Sequence, residues 1–185
     1  MILEGPDNSG KTQLGLDLHR MFGWPVEHSN KPDLEAYQSH DKEFMAYMHA
    51  IQHLSPKALI RDRTYAISEN VYGPIVRGAS MLGIFREQSL KFLANTQTPI
   101  VYCRPPIDLI MATTEKEMDG VRENHSAIVQ RYDKIMDTLE ICGAFVLRYD
   151  YTRPDAWNRL TRHLASHITS FNKTEDKVND YFKGI

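Results

Sequence analysis

The sequence predicts an α/β protein built on a mostly parallel sheet. Short apolar segments, such as ILEG at 2–5 and TPIVYC at 98–103, alternate with longer segments whose apolar residues recur at helical spacing. Each polar segment with chemically useful side chains comes directly after one of the short apolar segments. Because ligands bind at the carboxyl ends of parallel strands, these polar loops are expected to form one site. We expect about five strands with helices on both faces.

The same patterns predict the individual elements. The strands are expected at 2–5, 24–28, 57–63, 98–103 and 143–149. Helices are expected at 11–22, where Gly23 is a stop signal, twice between 33 and 54, and at 67–73, 81–96, 107–118, 126–141 and 155–171. We expect one domain over 1–171, followed by a polar tail, 172–185, that forms a loosely docked helix.

The composition is that of a soluble globular domain. The 185 residues are 42% hydrophobic and 25% charged, with a net charge of −2. This charge argues against binding to a nucleic acid polymer, and no apolar run is long enough to span a membrane. The N-terminus lacks the pattern of a secretory signal. We expect Cys103 and Cys142 to be buried thiols, which favours a cytoplasmic location.

The segment GPDNSGKT, residues 5–12, matches the phosphate-binding pattern G-x-x-x-x-G-K-[ST] between a strand and a helix. Its glycines allow backbone angles at which successive N–H groups point inward and cradle phosphate oxygens. The positive end of the following helix adds to this attraction. Lys11 is expected to reach the outer phosphates, and the Thr12 hydroxyl to bind magnesium. The alternative is a plain turn with a helix cap by Ser9 or Asn8.

A second candidate group of residues follows the strand at 57–63. Asp62 ends this strand and could hold magnesium through water, while Arg63 offers a planar fork suited to a phosphate. The alternative is a surface Asp–Arg pair. On the helix that follows, Tyr72 and Arg77 could face a second substrate. Equally, Arg77 could pair with Glu69 as part of the scaffold.

Two histidines four positions apart, in HAIQH at 49–53, could share one helical face. Such a pair can bind zinc, but no third ligand is obvious in the sequence. A helix that faces substrate or solvent is the alternative that we prefer.

The opening EGPDNSGKT and the later DR…S….G resemble the thymidylate kinase and deoxynucleoside kinase group of P-loop kinases. The longer string DRTYAISENVYGPIVRG resembles most the phage-encoded branch of that group. The resemblance implies the P-loop kinase fold with a mobile lid, here at about 104–125. It also implies ATP as donor, Mg²⁺ as cofactor, a role in nucleotide biosynthesis and a possible homodimer.

The resemblance also implies roles for individual residues. Asp7 takes the place of the acid that binds the sugar 3′-hydroxyl of the acceptor, and Arg63 that of the arginine that binds its monophosphate. Ser68 and Gly73 match the serine and the later glycine of the motif. Thymidylate kinases often carry Tyr-Gln before that glycine, whereas this chain has Val71 and Tyr72, so the preference for thymine stays open. The residues expected to bind ATP are Asn8, Ser9, Gly10, Lys11, Thr12 and, in the loop that lines adenine, Arg153.

The lid of this family carries arginines that close over the donor phosphates. Arg122, which follows the Asp119–Gly120 turn, is the residue that we favour for this role, with Lys116 second. Arg131 is expected to be a structural partner of Asp133 or of a neighbouring acid.

Three functions remain possible at this point. The first is an ATP-dependent nucleoside monophosphate kinase, whose acceptor lies between Asp7, Arg63 and the helix at 44–53. The residues that could stack on its base are Phe44, Tyr47 and Tyr72. The second is a deoxynucleoside kinase, in which Glu4, Glu27 or Asp62 is the base for the 5′-hydroxyl. The third is a non-catalytic nucleotide-binding regulator.

Overall fold

The structure is a computed structural model that describes residues 1–29, 31–35, 37–38, 41–52, 58–112 and 120–183, without the side chains of 170–183. Its five strands form one parallel sheet in the order β2-β3-β1-β4-β5, which confirms the predicted fold class. The strands are β1 (Ile2–Glu4), β2 (Val26–His28), β3 (Ile60–Asp62), β4 (Ile100–Cys103) and β5 (Val146–Tyr149).

The register aligns the carboxyl ends of the central strands. Leu3 lies opposite Asp62 of β3 on one side and Val101 of β4 on the other. The loops that follow β1 and β3 therefore leave the same edge of the sheet next to each other. This is where open parallel sheets bind their ligands.

The described residues form seven α-helices. They are α1 (Lys11–Phe22), α2 (Lys42–Gln52), α3 (Tyr65–Val76), α4 (Arg86–Asn95), α5 (Ile107–Ala112), α6 (His125–Ile141) and α7 (Ala156–Lys183). Short 3₁₀ turns at Gly83–Phe85 and Arg122–Asn124 precede α4 and α6. As predicted, α1 ends at Gly23, which has φ 71° and donates its N–H to the His19 carbonyl.

The two faces of the sheet carry different helices, because successive side chains of a strand point in opposite directions. On one face, Ile2 and Tyr102 join a buried apolar cluster with side chains of α3, α4 and α6. On the other face, Gly15 of α1 lies over Leu3, whose Cδ1 atom would be 3.3 Å from a Cβ at Gly15. The helices therefore cover both faces, as predicted.

The structure corrects two of the predictions. The described residues between 33 and 54 contain one helix, α2, and those of 31–38 are irregular with a turn instead of a second helix. The Asp33 side chain accepts a hydrogen bond from the Glu35 N–H, a local bond that competes with helix formation. Cys103 is buried as predicted, but Cys142 is exposed, because it lies at the C-terminal end of α6.

The chain divides into two compact units, Met1–Asp150 and Tyr151–Ile185. The first contains the sheet and α1 to α6. The second contains α7, which continues beyond the helix predicted at 155–171 into the tail. None of the helices within the described residues is both long and apolar enough to cross a membrane.

A buried carboxylate fixes the loop that follows α3. Glu69 accepts hydrogen bonds from the Arg77 guanidinium, at 2.5 Å, and from the Met81 N–H, at 2.7 Å. A Cβ at Gly73 would lie 2.6 Å from Glu69 Oε1 and 2.9 Å from the Ser80 Cα. Gly73 therefore leaves the space in which the loop folds back on α3.

We predict that Gly73→Ala destabilises the protein. The added methyl group would displace the Glu69 carboxylate and the backbone at Ser80, at a cost of about 1–3 kcal/mol in the free energy of unfolding. Gly15→Ala is the matched control, because its methyl group would meet the flexible end of Leu3 and alanine favours helix. Urea denaturation measures both. Equal effects at the two positions would contradict this account of Gly73.

Candidate phosphate-binding and acceptor site

The segment 5–12 forms a tight loop between β1 and α1. Gly5, at φ 146°, lies against β4: a Cβ there would be 2.5 Å from the Cys103 carbonyl oxygen. Asn8 and Gly10 have left-handed backbones, with φ 62° and 83°. The first hydrogen bond of α1 joins the Leu14 N–H to the Gly10 carbonyl, so the N–H groups of 11–13 precede the helical ladder. This is the geometry of an anion-binding loop.

Lys11 lies buried against this loop. Its Nζ donates to the Pro6 carbonyl at 2.5 Å and to Ser9 Oγ at 3.2 Å. Burial, and after it the charge of Arg63, lowers the pKa of Lys11 to about 8. The loop therefore holds a cation whose charge water screens poorly, and which an anion would stabilise.

Asp62 and Thr12 supply oxygen atoms near the loop. Asp62 Oδ2 lies 3.0 Å from His28 Nδ1. Asp62 Oδ1 is buried and meets no hydrogen-bond donor in the part of the chain that the structure describes. Thr12 is exposed in the first turn of α1. A hard oxygen-seeking cation such as Mg²⁺ fits this donor set, because it would satisfy the buried carboxylate oxygen directly or through water.

Arg63 is the central cation of the site. Its Nη2 donates to Asp7 of the phosphate loop and its Nη1 donates to the Tyr132 hydroxyl at 3.3 Å. The guanidinium also lies over the ring of Tyr72, 5.1 Å from its centre. The Arg63 backbone is left-handed, with φ 70°, which costs about 1–2 kcal/mol for a residue with a Cβ. The structure thus brings together Asp7, Lys11, Asp62 and Arg63.

Glu4 lies beneath this group without any solvent exposure. Its Oε1 accepts from the Thr64 N–H at 2.5 Å and the Thr64 hydroxyl at 3.1 Å, and its Oε2 accepts from the Tyr132 hydroxyl at 3.3 Å. Burial raises the pKa of Glu4 to about 7, against the opposing charges of Arg63 and Lys11. Sequence reasoning did not find Thr64 or Tyr132. Thr64 had a usable signal, as a threonine before a helix, and its hydroxyl caps α3.

Two of the three aromatic residues predicted to meet a base, Phe44 and Tyr47, lie on α2. Tyr47 stacks on Phe85, with ring centres 5.0 Å apart, and Phe44 meets the same ring edge-on at 6.0 Å. Phe44 is half exposed. His49 packs edge-on against Tyr65, whereas His53 lies outside the described residues.

Tyr72 and Arg77 lie at different places on α3. Tyr72 is buried beneath Arg63 and meets Tyr132 edge-on, with ring centres 6.0 Å apart. Arg77, at the end of the helix, pairs with Glu69, which is the contact that the scaffold alternative predicts. Its guanidinium remains partly exposed.

The segment predicted as a lid is described at 104–112 and 120–125. Arg122 is exposed at the start of a 3₁₀ turn, and Lys116 lies outside the described residues. Arg131 donates to the Asn70 carbonyl at 3.2 Å, so it has the structural role predicted for it, with a partner on α3. Asp133 instead binds Arg104, at 3.0 Å.

Glu140 is another acid on the helix of Arg131, and Arg153 is the residue expected to line adenine. The other acid near Arg131, Glu140, pairs with Arg148 at 3.0 Å. Arg153 belongs to the unit Tyr151–Ile185 and precedes α7.

We predict that Glu4 makes the stability of the protein depend on pH. Burial raises the pKa of Glu4 from 4.5 to about 7, so the native state holds this proton more tightly than the unfolded state. The stability that this group contributes is complete below pH 4.5 and is lost as the pH rises to about 7. Glu4→Gln cannot titrate. Its free energy of unfolding should therefore rise relative to wild type by about 2 kcal/mol between pH 5 and pH 8.

Denaturation with guanidinium chloride at several pH values measures this difference. Glu27→Gln is the control, because the Glu27 side chain is 53% exposed and should not reproduce the trend. A difference between Glu4→Gln and wild type that stays constant with pH would refute the raised pKa.

The sequence matches no model of a known protein family and no curated protein. Solved structures with similar folds include the YorR protein from Bacillus subtilis in complex with phosphorylated GDP, with TM-score 0.67 and 19% identity over 89% of this chain and 94% of that one. Deoxyadenosine kinase from M. mycoides with dCMP and dCDP has TM-score 0.54 and 12% identity over 89% and 97%. Thymidylate kinase from Candida albicans has TM-score 0.51 and 13% identity over 93% and 91%. The five-stranded parallel sheet and these likenesses show that the chain has the fold of the P-loop kinases.

Proposed function

We propose that the protein transfers the γ-phosphoryl group of ATP to a (deoxy)nucleoside monophosphate, as thymidylate kinases do. One observation carries the proposal: Asp7 and Arg63 form an ion pair beside the phosphate loop and close to Lys11. A phosphate loop without such a pair would account for the binding of one nucleotide only, the donor. The added pair offers a carboxylate for a sugar hydroxyl and a guanidinium for a second phosphate.

The donor would bind at the N-terminus of α1. The N–H groups of residues 8–12 and the Lys11 ammonium would hold the phosphates of ATP, with Asn8, Ser9, Gly10 and Thr12 forming the cradle. Thr12 and Asp62 would hold Mg²⁺, whose charge offsets the negative charge of the donor phosphates when it is bound.

The acceptor would bind on the side of Arg63. The contacts with Asp7 and Tyr132 use two of the five N–H groups of its guanidinium. The remaining N–H groups can bind a phosphate with two parallel hydrogen bonds. Phe44 and Tyr47 would supply aromatic surface for the base, whereas the ring of Tyr72 is covered by Arg63. Arg77 is proposed to complete the acceptor side.

The reaction then depends on position and charge. Lys11 and Arg63 place positive charge on the two sides of the transferring phosphoryl group, in a site where burial keeps water from screening it. Arg122 is proposed to add a third positive charge from the lid. Structural neighbours with bound phosphorylated GDP, dCMP and dCDP support a nucleotide as ligand.

The alternative is a deoxynucleoside kinase, which the likeness to deoxyadenosine kinase keeps open. This reaction needs a carboxylate that reaches a 5′-hydroxyl. Glu4 does not suit this role, because it is fully buried and both its oxygens accept hydrogen bonds. Glu27, which pairs with Arg61 at 3.6 Å, and Asp62 remain candidates.

A non-catalytic nucleotide sensor is the third possibility, and the acceptor-side pair argues against it. A sensor needs one nucleotide site only, whereas Asp7 and Arg63 suit a second ligand. A homodimer and a cytoplasmic location remain expectations from the resemblance and the composition.

We predict that Lys11→Met abolishes phosphoryl transfer without loss of stability. The pKa of Lys11 is lowered to about 8 from 10.5, so at pH 7 its buried charge costs the native state free energy, which the variant regains. The turnover should fall at least about a hundredfold, because the lost charge acts on phosphates in a site with little water. A coupled assay of ADP release and a thermal unfolding curve measure the two effects.

Lys91→Met is the matched control, since Lys91 is an exposed lysine on α4 with a side chain 70% accessible. It should leave both quantities near wild type. Near-normal turnover in Lys11→Met would rule out the assigned role of Lys11.

The choice between the two enzyme functions rests on Arg63. We predict that wild type phosphorylates thymidylate or deoxyguanylate and neither of the matching nucleosides. Arg63→Ala should lower kcat/KM for the monophosphate about tenfold to a hundredfold, the size of one or two charge-assisted hydrogen bonds. Arg63→Lys should keep an intermediate activity, because it retains the charge and loses the fork.

The panel is read out as ADP release with each acceptor. Arg148→Ala is the control, because Arg148 pairs with Asp137 and Glu140 on the surface. If wild type prefers nucleosides, the monophosphate kinase proposal fails. No ADP release with any acceptor would favour the nucleotide sensor.

A further inference from the structure

Tyr132 lies where it can control the orientation of Arg63. It belongs to α6, has no solvent exposure, and its hydroxyl lies 3.3 Å from Arg63 Nη1 and 3.3 Å from Glu4 Oε2. The phenol accepts a hydrogen bond from the arginine and donates one to the carboxylate. A phenolic hydroxyl has one proton to donate, so the Glu4 contact turns its oxygen lone pairs toward Arg63.

The ring of Tyr132 is held on both sides. It stacks on Tyr102, with ring centres 5.9 Å apart and planes 20° from parallel, and meets Tyr72 edge-on. Tyr72 in turn carries the Arg63 guanidinium on its face. Because close-packed rings move little, the hydroxyl of Tyr132 is a fixed acceptor for the guanidinium.

The backbone at Arg63 is hydrogen-bonded to β1, the strand that contains Glu4. The Arg63 N–H donates to the Leu3 carbonyl at 2.8 Å, and the next N–H, that of Thr64, donates to Glu4 Oε1 at 2.5 Å. These two bonds lie on either side of the left-handed φ of 70° at Arg63. Glu4 therefore fixes the backbone next to Arg63 directly, and the side chain of Arg63 through Tyr132.

We propose that Tyr132, oriented by Glu4, is a positioning residue that presents Arg63 to the phosphate of the acceptor. This inference rests on the proposed function, since it assumes that Arg63 binds an acceptor monophosphate. Tyr132 itself touches neither nucleotide in this account. It keeps one end of the guanidinium in place while the rest binds the phosphate, and so lowers the entropy lost on binding.

The test compares two tyrosines of the same stack. Tyr132→Phe removes the hydroxyl and keeps the ring, and should raise the KM for the monophosphate about fivefold to tenfold, with the KM for ATP within twofold of wild type. Tyr102→Phe is the matched control. It also removes a hydroxyl from the ring stack, but this hydroxyl donates to Asp133, at 2.7 Å, and not to Glu4. It should leave the KM for the monophosphate within twofold. The inference would be overturned if Tyr102→Phe raised the KM for the monophosphate as much as Tyr132→Phe does. It would also be overturned if Tyr132→Phe raised the KM for ATP as much as the KM for the monophosphate.

A double-mutant cycle with Arg63→Ala tests whether Tyr132 acts through Arg63. In the Arg63→Ala background, Tyr132→Phe should change the KM for the monophosphate less than twofold. A full additive effect would mean that Tyr132 acts independently, and would overturn the inference even if the proposed function holds. Glu4→Gln, if it folds, should raise the same KM as Tyr132→Phe does.

A second readout separates this inference from the proposed function. If wild type rejects monophosphates, the proposed function fails, and the same cycle is measured by thermal unfolding. Shifts in Tm that are not additive for Tyr132→Phe and Arg63→Ala would then support the positioning of Arg63 by Tyr132. Additive shifts would overturn it.

Discussion

The candidate site depends on the hydrogen bonds between the Glu4 carboxylate and Thr64. They join the end of β1 to the residue that follows Arg63. The phosphate loop starts immediately after Glu4, so one buried contact sets the distance between the loop and the arginine. Parallel pairing of Leu3 with Asp62 brings the strand ends together, and the carboxylate then fixes the two loops beyond them.

This arrangement places three ionisable groups where water screens them poorly. Glu4 is fully buried, Lys11 is nearly so, and Arg63 is largely enclosed between Tyr72, Tyr132 and Asp7. Charges in such a place are costly unless they offset one another. Lys11 and Arg63 face the carboxylates of Glu4, Asp7 and Asp62, and burial raises the pKa of Glu4 to about 7. In the proposed function, a phosphate that bound to Lys11 and Arg63 would therefore also change the stability of the protein.

Local patterns predicted most of the fold and the tight loop at 5–12, because strands, helices and a loop motif depend on residues close in sequence. They also predicted that Asp62 and Arg63 lie beside the loop, because both end a strand. No local sequence pattern indicated the role of Tyr132. It lies on α6, 128 positions from Glu4, and only the packing of α6 against the sheet brings the two side chains together. The second helix predicted between 33 and 54 failed because local side-chain bonds and turns replaced it. The partner of Arg131, the Asn70 carbonyl, could likewise not be predicted, because the contact joins α6 to α3.

The ion pair of Asp7 and Arg63 has a consequence for selectivity. An anion that takes the N–H group that Arg63 donates to Asp7 would have to displace this carboxylate, which is covalently part of the same site and never diffuses away. The carboxylate thus acts as an internal competitor at a fixed, high effective concentration. Singly charged anions would gain little from such an exchange, whereas a dianion would gain more. In the proposed function, the pair would therefore favour a ligand that carries two negative charges over one that carries a single negative charge.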